Sequence, residues 1–324
     1  MDNQPTAIDS GHELLLGIDV GGTSVKAGLF TTEGKLLGEA SVPTPALITE
    51  EAYAVVTTCL DELVQQHGDG NNVIGIGLDI PGPIGEDGLP GFIPNAQIDL
   101  LGLEAAIMRS YPHAILAALN DANAAALGEL WRGAAQGERS VVFVTLGTGV
   151  GGGIVCDGKL VAGKNGCAGE IGHLTVNPHE SRVCGCGRKG CLEQYASATG
   201  VVYSYKAACA RLGINPCSLT GLSDSRSVFE AFEAGDKAAA EAIRIMCSSL
   251  AFALSCVAAT VNPGAFVIGG GMGEAFDIFS EELIARYREQ CLSPVTETRF
   301  ERASLGNKAG MYGSAYQALM LARS

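Results

Sequence analysis

LLLGIDVGGTSVKAGLF, residues 14–30, is an apolar run that glycines interrupt once before it resumes. Leu14 to Val20 predicts a strand, Gly21-Gly22-Thr23 a turn, and Val25 to Phe30 a second strand. A further turn follows at Thr31 to Gly34. The segment therefore predicts a β-hairpin, and it places Asp19 near the end of the first strand.

The same pattern occurs a second time in the middle of the chain. Val141 to Leu146 is apolar, Gly147-Thr148-Gly149 interrupts the run, and it resumes through Ile154 and Val155 to a hairpin turn at Asp157-Gly158. Two segments of one design indicate an internal repeat, and the alternative is a coincidence of two glycine-rich hairpins. The repeat predicts two halves of similar architecture.

Strands alternate with helices in the rest of the chain, which indicates the α/β class. Further strands are predicted at residues 73–78, 114–119 and 265–268, and helices at residues 50–66, 122–131, 236–260, 274–289 and 308–322. A chain of 324 residues has room for two domains of ordinary size.

Composition excludes several classes of function. The formal net charge of −14 would repel nucleic acid and anionic membranes, because binding to either depends on Lys and Arg. Met1 to Glu13 has neither a basic start nor an apolar stretch, so no secretory signal is predicted. The apolar run Ser248 to Val261 is too short to span a bilayer and predicts a buried helix end. We therefore expect a cytoplasmic protein without a nucleic-acid or membrane partner, whose 11 cysteines are thiols or metal ligands.

Both hairpin turns have the composition of a phosphate site. Glycines let backbone N–H groups approach an anion, Thr23 adds a hydroxyl group, and Asp19 stands beside the first turn. A tight hairpin without a ligand is the alternative. Residues 147–152 also match the dinucleotide pattern G-x-G-x-x-G, and residues 153–159 imitate a P-loop. Neither match has its context, because a strand follows instead of a helix and Leu160 stands where magnesium needs Ser or Thr.

Asp121 follows an apolar strand and begins a helix, at the carboxyl end of a sheet where ligands of α/β proteins bind. A carboxylate there can accept the proton of an attacking hydroxyl group. The alternative is that Asp121 only caps the helix, since Asp is a favoured N-cap residue.

Three cysteines lie close together on a glycine-rich loop, Cys184-Gly-Cys186-Gly-Arg-Lys-Gly-Cys191, and His173 lies upstream. Three thiolates and one imidazole make a closed tetrahedral zinc site with no open position for a catalytic water, so the zinc would be structural. The alternative is a set of surface thiols without a metal.

These motifs occur together in the order found in the ROK family of sugar kinases and repressors, which the chain resembles from Leu14 to its C-terminal helix. Residues 119–123, LNDAN, resemble the family's catalytic segment, residues 168–173, AGEIGH, its sugar-and-metal segment, and Cys184 to Glu193 its zinc loop. The resemblance implies an α/β, actin-like ATPase (ribonuclease H-like) fold of two domains with an active-site cleft between them. The expected N-terminal domain is residues 1–119 with 306–324, and the larger C-terminal domain with the zinc loop is residues 120–305.

The resemblance also implies an activity and its residues. We expect an ATP-dependent hexose kinase, converting glucose and ATP to glucose 6-phosphate and ADP, with Asp121 as the general base. The implied sugar ligands are Asn95, Asn120, Asp121, Glu170, His173 and Glu193. The implied ATP contacts are Asp19, Gly21, Gly22, Thr23, Gly147, Thr148 and Gly149 at the phosphates and Gly269, Gly270 and Gly271 at the adenosine. The implied structural Zn²⁺ ligands are His173, Cys184, Cys186 and Cys191, and Mg²⁺ is expected to bridge the ATP phosphates.

The choice of sugar stays open. The aromatic residue that the family often has shortly after Asn95 is missing, and Gln97-Ile98-Asp99 stands there. N-acetylglucosamine, N-acetylmannosamine and fructose are alternative acceptors, and polyphosphate is an alternative donor. The other class is a sugar-responsive transcriptional regulator, but Met1 to Glu13 is too short for a helix-turn-helix ahead of the first strand, which favours the enzyme. Family members are usually dimers or tetramers, so a homodimer or homotetramer is expected.

Overall fold

The chain is described by a computed structural model that covers residues 13–85, 88–90, 97–217, 221 and 224–324. The strands are β1 (Glu13–Val20), β2 (Ser24–Thr31), β3 (Leu36–Pro43), β4 (Asn72–Ile80), β5 (Ile115–Asn120), β6 (Val141–Leu146), β7 (Val150–Cys156), β8 (Lys159–Leu160), β9 (Ala265–Gly269) and β10 (Arg299–Arg302). The helices are α1 (Glu50–His67), α2 (Leu100–Ser110), α3 (Asp121–Arg132), α4 (Glu193–Ala196), α5 (Ala198–Leu212), α6 (Ser225–Glu233), α7 (Lys237–Val261), α8 (Phe276–Gln290) and α9 (Ala309–Ala322).

Each predicted element is present, with small differences at its ends. The predicted helix at residues 274–289 begins later, as α8 at Phe276, because a 3-10 turn over Gly271–Ala275 comes first. The elements that were not predicted from the sequence are β3, β8, β10, α2, α4, α5 and α6.

Two five-stranded sheets carry the fold, and they have the same topology. The strand orders are β3-β2-β1-β4-β5 and β8-β7-β6-β9-β10. In each sheet the first three strands in sequence form an antiparallel meander, and the last two run parallel to the first strand. The predicted internal repeat is therefore confirmed, and the α/β fold with two similar halves follows from it.

The described chain divides into two compact units, one around each sheet. The first unit contains the described residues up to Arg132, together with Gly163–Cys167 and Asn307–Ser324. The second unit contains Gly133–Ala162 and Ala168–Gly306. In the first unit the short segment Gly163–Cys167 includes Gly166, which lies directly against the backbone of Ile84.

Helix α9 lies on the first sheet at very short range. A β-carbon at Gly17 of β1 would overlap the carbonyl oxygen of Met311, and one at Gly77 of β4 would overlap the backbone of Ser314. Both central strands therefore need glycine opposite the helix. The last helix in the sequence thus completes the core around the first strand.

The boundary between the units differs from the predicted one. The prediction ended the N-terminal domain at residue 119, which assigned the following helix, α3, to the second domain. In the structure α3 packs within the first unit, because a β-carbon at Gly313 of α9 would already meet the backbone of Ala124 and Gly128 of α3. Two helices in such close contact belong to one core, so the observed division falls after Arg132.

Helix α7 bears on the expectation of no membrane partner. The helix is longer than the apolar run Ser248 to Val261 on which that expectation was based. With 25 residues, Lys237–Val261 is long and apolar enough to cross a bilayer, so the shortness of the run does not exclude a span. Its Met246, Leu250 and Leu254 are fully buried in the core of the second unit. This burial is typical of the central helix of a packed domain.

The contact between α3 and α9 generates a prediction for Gly313→Ala. Alanine favours a helix over glycine by about 1 kcal/mol, but the added methyl group would press on a backbone carbonyl group that cannot rotate away. Overpacking of this kind costs about 1–3 kcal/mol, so we expect a lower unfolding temperature of the first unit. The single tryptophan, Trp131, stacks on Tyr316 of α9 at 5.2 Å, so its fluorescence reports on this contact during thermal unfolding.

Met320→Ala is the control, because Met320 lies on the same helix and is 42% exposed. Its unfolding free energy should stay within about 0.5 kcal/mol of the wild type. Equal unfolding temperatures for Gly313→Ala and Met320→Ala would show that the close helix contact does not need glycine.

Candidate active site

The first hairpin joins β1 to β2 through Gly21, Gly22 and Thr23. The Gly21 N–H donates to the Ser24 carbonyl oxygen at 3.1 Å, and the Thr44 hydroxyl group donates to the Gly21 carbonyl oxygen at 2.6 Å. Gly22 and Thr23 are exposed, and the space beside Gly22 is open. Hydrogen bonds therefore hold the base of the turn, while its tip is accessible to a phosphate group.

The second hairpin joins β6 to β7 through Gly147, Thr148 and Gly149. The Gly147 N–H donates to the Gly149 carbonyl oxygen at 3.0 Å, and the Gly147 carbonyl oxygen accepts from the N–H of Ala198 at 2.8 Å. Thr148 is exposed at the tip. The residues after the turn form β7 and not a helix, which confirms that the G-x-G-x-x-G match is not a dinucleotide site.

The predicted adenosine turn, Gly269 to Gly273, lies at the end of β9. Gly270 has a φ of +79°, and a β-carbon there would lie 2.5 Å from the carbonyl oxygen of Leu146, the residue before the second hairpin. The space beside Gly271 is open. The second unit thus brings the adenosine turn and the second hairpin together, as one nucleotide site requires.

At the start of α3 the structure separates the roles of two neighbouring residues. The Asn120 Oδ1 accepts from the backbone N–H groups of Ala122 at 3.0 Å and Asn123 at 3.2 Å, so Asn120 is the N-cap. The Asn120 Nδ2 donates to the Gly82 carbonyl oxygen at 3.1 Å. The Oδ1 of Asp121 accepts from the N–H of Ala122, the residue next to it, at 2.8 Å. Its second carboxylate oxygen is therefore available for a substrate.

The Asp121 side chain reaches solvent, although protein atoms surround much of it. Desolvation by these atoms raises the pKa of its carboxyl group above the ordinary 3.8, the N–H of Ala122 opposes the rise, and the negative charge of Asp19 adds to it. A raised pKa makes the carboxylate a better proton acceptor than an ordinary aspartate.

A third carboxyl group, Asp79, lies near the first hairpin and was not predicted. Asp79 on β4 is the register partner of Asp19 on the neighbouring strand β1, and it is 1% exposed. We call Asp19, Asp79 and Asp121 the acidic row. The signal that the sequence offered was one carboxyl residue near the end of an otherwise apolar run, Val73 to Ile80.

Four residues in the second unit form a group that could hold a metal ion, and we call it the metal cluster. The ligand atoms of His173, Cys184, Cys186 and Cys191 all lie within 4.8 Å of one another. The Cys184 Sγ lies 3.9 Å from the His173 Nδ1, and the Cys186 Sγ lies 3.6 Å from the Cys191 Sγ. Ligands about 2.0–2.3 Å from one tetrahedral zinc ion lie about 3.3–3.8 Å apart, so the spacing of the cluster is close to that of a zinc site. The sulfur atoms are too far apart for a disulfide.

The chemistry of the donor atoms also fits a cation. Burial raises the pKa of Cys191 to about 12, and burial likewise raises the pKa of Cys184. The backbone N–H of Arg188 lowers the pKa of the more exposed Cys186. Buried thiols of this kind become thiolates when a metal ion supplies the compensating positive charge.

Of the predicted sugar ligands in the second unit, His173 is a member of this cluster, and Glu170 and Glu193 lie close to cluster residues in the sequence. Glu170 precedes a 3-10 turn over Ile171–His173, and its side chain is exposed. The Glu193 Oε2 accepts from the Val150 N–H at 3.1 Å, while its Oε1 lies 3.7 Å from the Cys184 Sγ. Glu193 therefore connects the metal cluster to the second hairpin.

One predicted sugar ligand, Asn95, lies outside the described residues. Asp99, a few residues later, is the N-cap of α2: its Oδ1 accepts from the Gly102 N–H at 3.1 Å. The Tyr53 hydroxyl group donates to its other oxygen at 3.0 Å. The residues that stand in place of the family's aromatic residue thus include one that fixes a helix end.

Three comparisons place this chain among known proteins. The sequence model of the ROK family matches residues 15–321. A glucokinase from Halalkalibacterium halodurans is 35% identical over 318 residues, which cover 93% of each chain. An N-acetylmannosamine kinase from Escherichia coli is 34% identical over 262 residues, covering 80% of this chain and 84% of the relative. The crystal structure of a ROK family glucokinase from Streptomyces griseus in complex with glucose and AMPPNP has 31% identity and a TM-score of 0.70, with 95% of this chain and 99% of that chain covered.

The metal cluster predicts about one zinc ion per chain in the purified protein, measured by elemental analysis. Cys186→Ser should lose most of the metal, because it removes one of four ligands. Cys167→Ser is the control, since Cys167 is an exposed cysteine outside the cluster, and it should keep the full zinc content. Metal-free protein that is folded and active would contradict the assignment of all four ligands.

Proposed function

The chain belongs to the ROK family, and we propose that it is an ATP-dependent hexose kinase that phosphorylates glucose, with Asp121 as the general base. The observation that carries this proposal is that Asn120 and Asp121 have different roles at the start of α3. Asn120 caps the helix, so Asp121 is not needed as the cap, and its Oδ2 is available at the carboxyl end of β5. A sugar kinase needs such a free carboxylate, because the hydroxyl group must lose its proton as it attacks the γ-phosphorus atom.

The proton moves from the sugar hydroxyl group to the carboxylate of Asp121 while the hydroxyl oxygen forms its bond to the γ-phosphorus atom. The bond between that phosphorus atom and the β–γ bridging oxygen breaks, and ADP leaves. The nucleotide enters as its magnesium complex, in which Mg²⁺ offsets phosphate charge. The exposed turns of the two hairpins offer backbone N–H groups to the phosphates, and the adenosine turn offers an open approach beside Gly271.

Glu170, His173 and Glu193 are proposed to bind the sugar hydroxyl groups. His173 would ligate zinc through Nδ1, the ring nitrogen that faces Cys184, and the three cysteines would bind as thiolates whose charge the ion would offset. The other ring nitrogen, Nε2, is then free to contact the sugar. Asn95 and Asn120 stay predicted sugar ligands. One hydrogen of the Asn120 Nδ2 group donates to the Gly82 carbonyl oxygen, and its second hydrogen could donate to the sugar.

Glucose is the proposed acceptor because both the Halalkalibacterium halodurans relative and the Streptomyces griseus structure are glucokinases. N-acetylmannosamine is the second candidate, since a relative with nearly the same identity is an N-acetylmannosamine kinase. A coupled assay of ADP release over both sugars, N-acetylglucosamine and fructose distinguishes the candidates. The cytoplasmic location and the homodimeric or homotetrameric state stay predictions.

The nucleotide site predicts a clear preference for ATP over polyphosphate as the donor. Polyphosphate can bind the two hairpins, but it has no adenosine to occupy the turn at Gly269 to Gly273. We expect kcat/KM for glucose phosphorylation to be much higher with ATP, measured as glucose 6-phosphate formed from each donor. Equal rates with both donors would remove the reason to assign that turn to the nucleotide.

Asp121→Asn tests the general base. The amide keeps the size of the side chain but cannot accept the proton, so kcat should fall by about 10²–10⁴ while glucose affinity, measured by calorimetry, stays near that of the wild type. In the wild type, kcat/KM should fall as pH decreases through the pKa of Asp121, which lies above 3.8. This acidic limb should be absent from the residual activity of the variant.

The control is Asp236→Asn, which replaces the N-cap of α7, whose carboxylate accepts from Ala238 at 2.7 Å. Asn caps a helix about as well as Asp, so turnover should change little. Normal turnover of Asp121→Asn would overturn the assignment of the base.

A further inference from the structure

Asp79 is a buried carboxyl group that the mechanism above does not use. It is 1% exposed, and no N–H or O–H group of the described residues donates to its Oδ1. Its other oxygen, Oδ2, lies against Gly310 at the start of α9, where a β-carbon would overlap it. A buried polar atom without a partner is costly, so the position calls for a physical reason.

The neighbours of Asp79 are mostly acidic. The titratable groups that face it are Asp19 on β1, Asp121 at the start of α3 and, farther away, Lys26 on β2. Lys26 already pairs with Asp19, with 3.7 Å between Nζ and Oδ2. Asp79 is therefore buried next to two more exposed carboxyl groups and has no cation of its own among the described residues.

Asp79 and Asp19 are register partners on adjacent parallel strands, so their side chains lie side by side on one face of the sheet, close enough to interact directly. Two carboxyl groups at this range cannot both be ionised without strong repulsion, so one of them holds a proton that the other accepts. Asp19 has the lysine and is partly exposed, with 24% of its side chain accessible, whereas Asp79 has neither advantage. The proton therefore belongs to Asp79, in agreement with a pKa that burial, the charge of Asp19 and its hydrogen bond raise well above the ordinary value.

We propose that Asp79 is a positioning residue, a neutral carboxyl group that donates a hydrogen bond to Asp19 and fixes the carboxylate of Asp19 beside the first hairpin. Asp19 is then held from both flanking strands, by Lys26 on β2 and by Asp79 on β4. The inference rests on the proposed function, because it assigns Asp79 to the ATP phosphate site. The role needs a hydrogen-bond donor and not a negative charge.

This requirement separates two variants of nearly equal size. Asp79→Asn keeps a donor, so kcat/KM for ATP should stay within a few-fold of the wild type. Asp79→Leu removes the donor, and kcat/KM for ATP should fall by about 10- to 100-fold, the usual value of a hydrogen bond to a charged group. Glucose affinity, measured by calorimetry, should stay within about twofold in both variants, since Asp19 is assigned to the phosphates. Asp157→Asn, on an exposed hairpin turn, is the matched control for the Asp-to-Asn change.

A loss in Asp79→Asn as large as in Asp79→Leu would show that the ionised carboxylate acts, and it would overturn the proposal. Full activity of both variants would overturn it as well, because no positioning role would remain. If Asp79→Leu does not fold, Asp79→Ala takes its place in the same comparison.

A stability measurement keeps this test separate from the proposed function. A raised pKa means that the wild type loses stability as pH increases from the unfolded value of about 3.8 toward the folded value. Asp79→Asn has no such group, so its unfolding temperature should fall less than that of the wild type between about pH 5 and 8. If the unfolding temperatures of the wild type and Asp79→Asn changed equally with pH, the proposal that Asp79 is neutral would be overturned. If the wild type showed this difference in pH dependence but had no kinase activity, the result would contradict the proposed function and not the neutral state of Asp79.

Discussion

The structure depends on the direct contact between helix α9 and the first sheet. Gly17 and Gly77 leave no room for a side chain between the helix backbone and the two central strands. The same helix touches α3 through Gly313 and touches the buried carboxyl group of Asp79 through Gly310. One close contact therefore sets the distance between the sheet, the helix that begins with Asp121, and the acidic row.

The negative charges of the acidic row lie next to this contact, and few positive charges balance them. The acidic row has three carboxyl groups, and Lys26 is the only cation among the groups that face Asp79. Repulsion between the carboxyl groups is reduced because each of them has a different environment. Asp19 is paired with the lysine, Asp121 reaches solvent, and Asp79 is buried. The second unit presents the opposite case, because thiolates at the metal cluster would need a cation, and the cluster has the spacing to bind one.

Much of this could be predicted because the informative residues form local patterns. The two hairpins repeat one sequence design, and the metal cluster has its cysteines in one short loop. The boundary after Arg132 could not be predicted, since it depends on contacts of α3 with a helix far away in sequence. The N-cap role of Asn120 was equally hidden, because Asn and Asp are both good caps and only hydrogen-bond geometry distinguishes them. Asp79 was missed because a carboxyl residue at the end of an apolar run also fits an exposed strand end.

The place of α9 in the sequence has a consequence for synthesis on the ribosome. Gly133–Ala162 and Ala168–Gly306 are nearly continuous, so the second unit is complete once residue 306 has emerged. The first sheet emerges earlier, but it lacks the helix that covers Gly17 and Gly77 until α9 has also emerged. Domains usually mature in the order in which they are translated. Here we expect the reverse order, because one face of the nascent first sheet stays uncovered until α9 emerges.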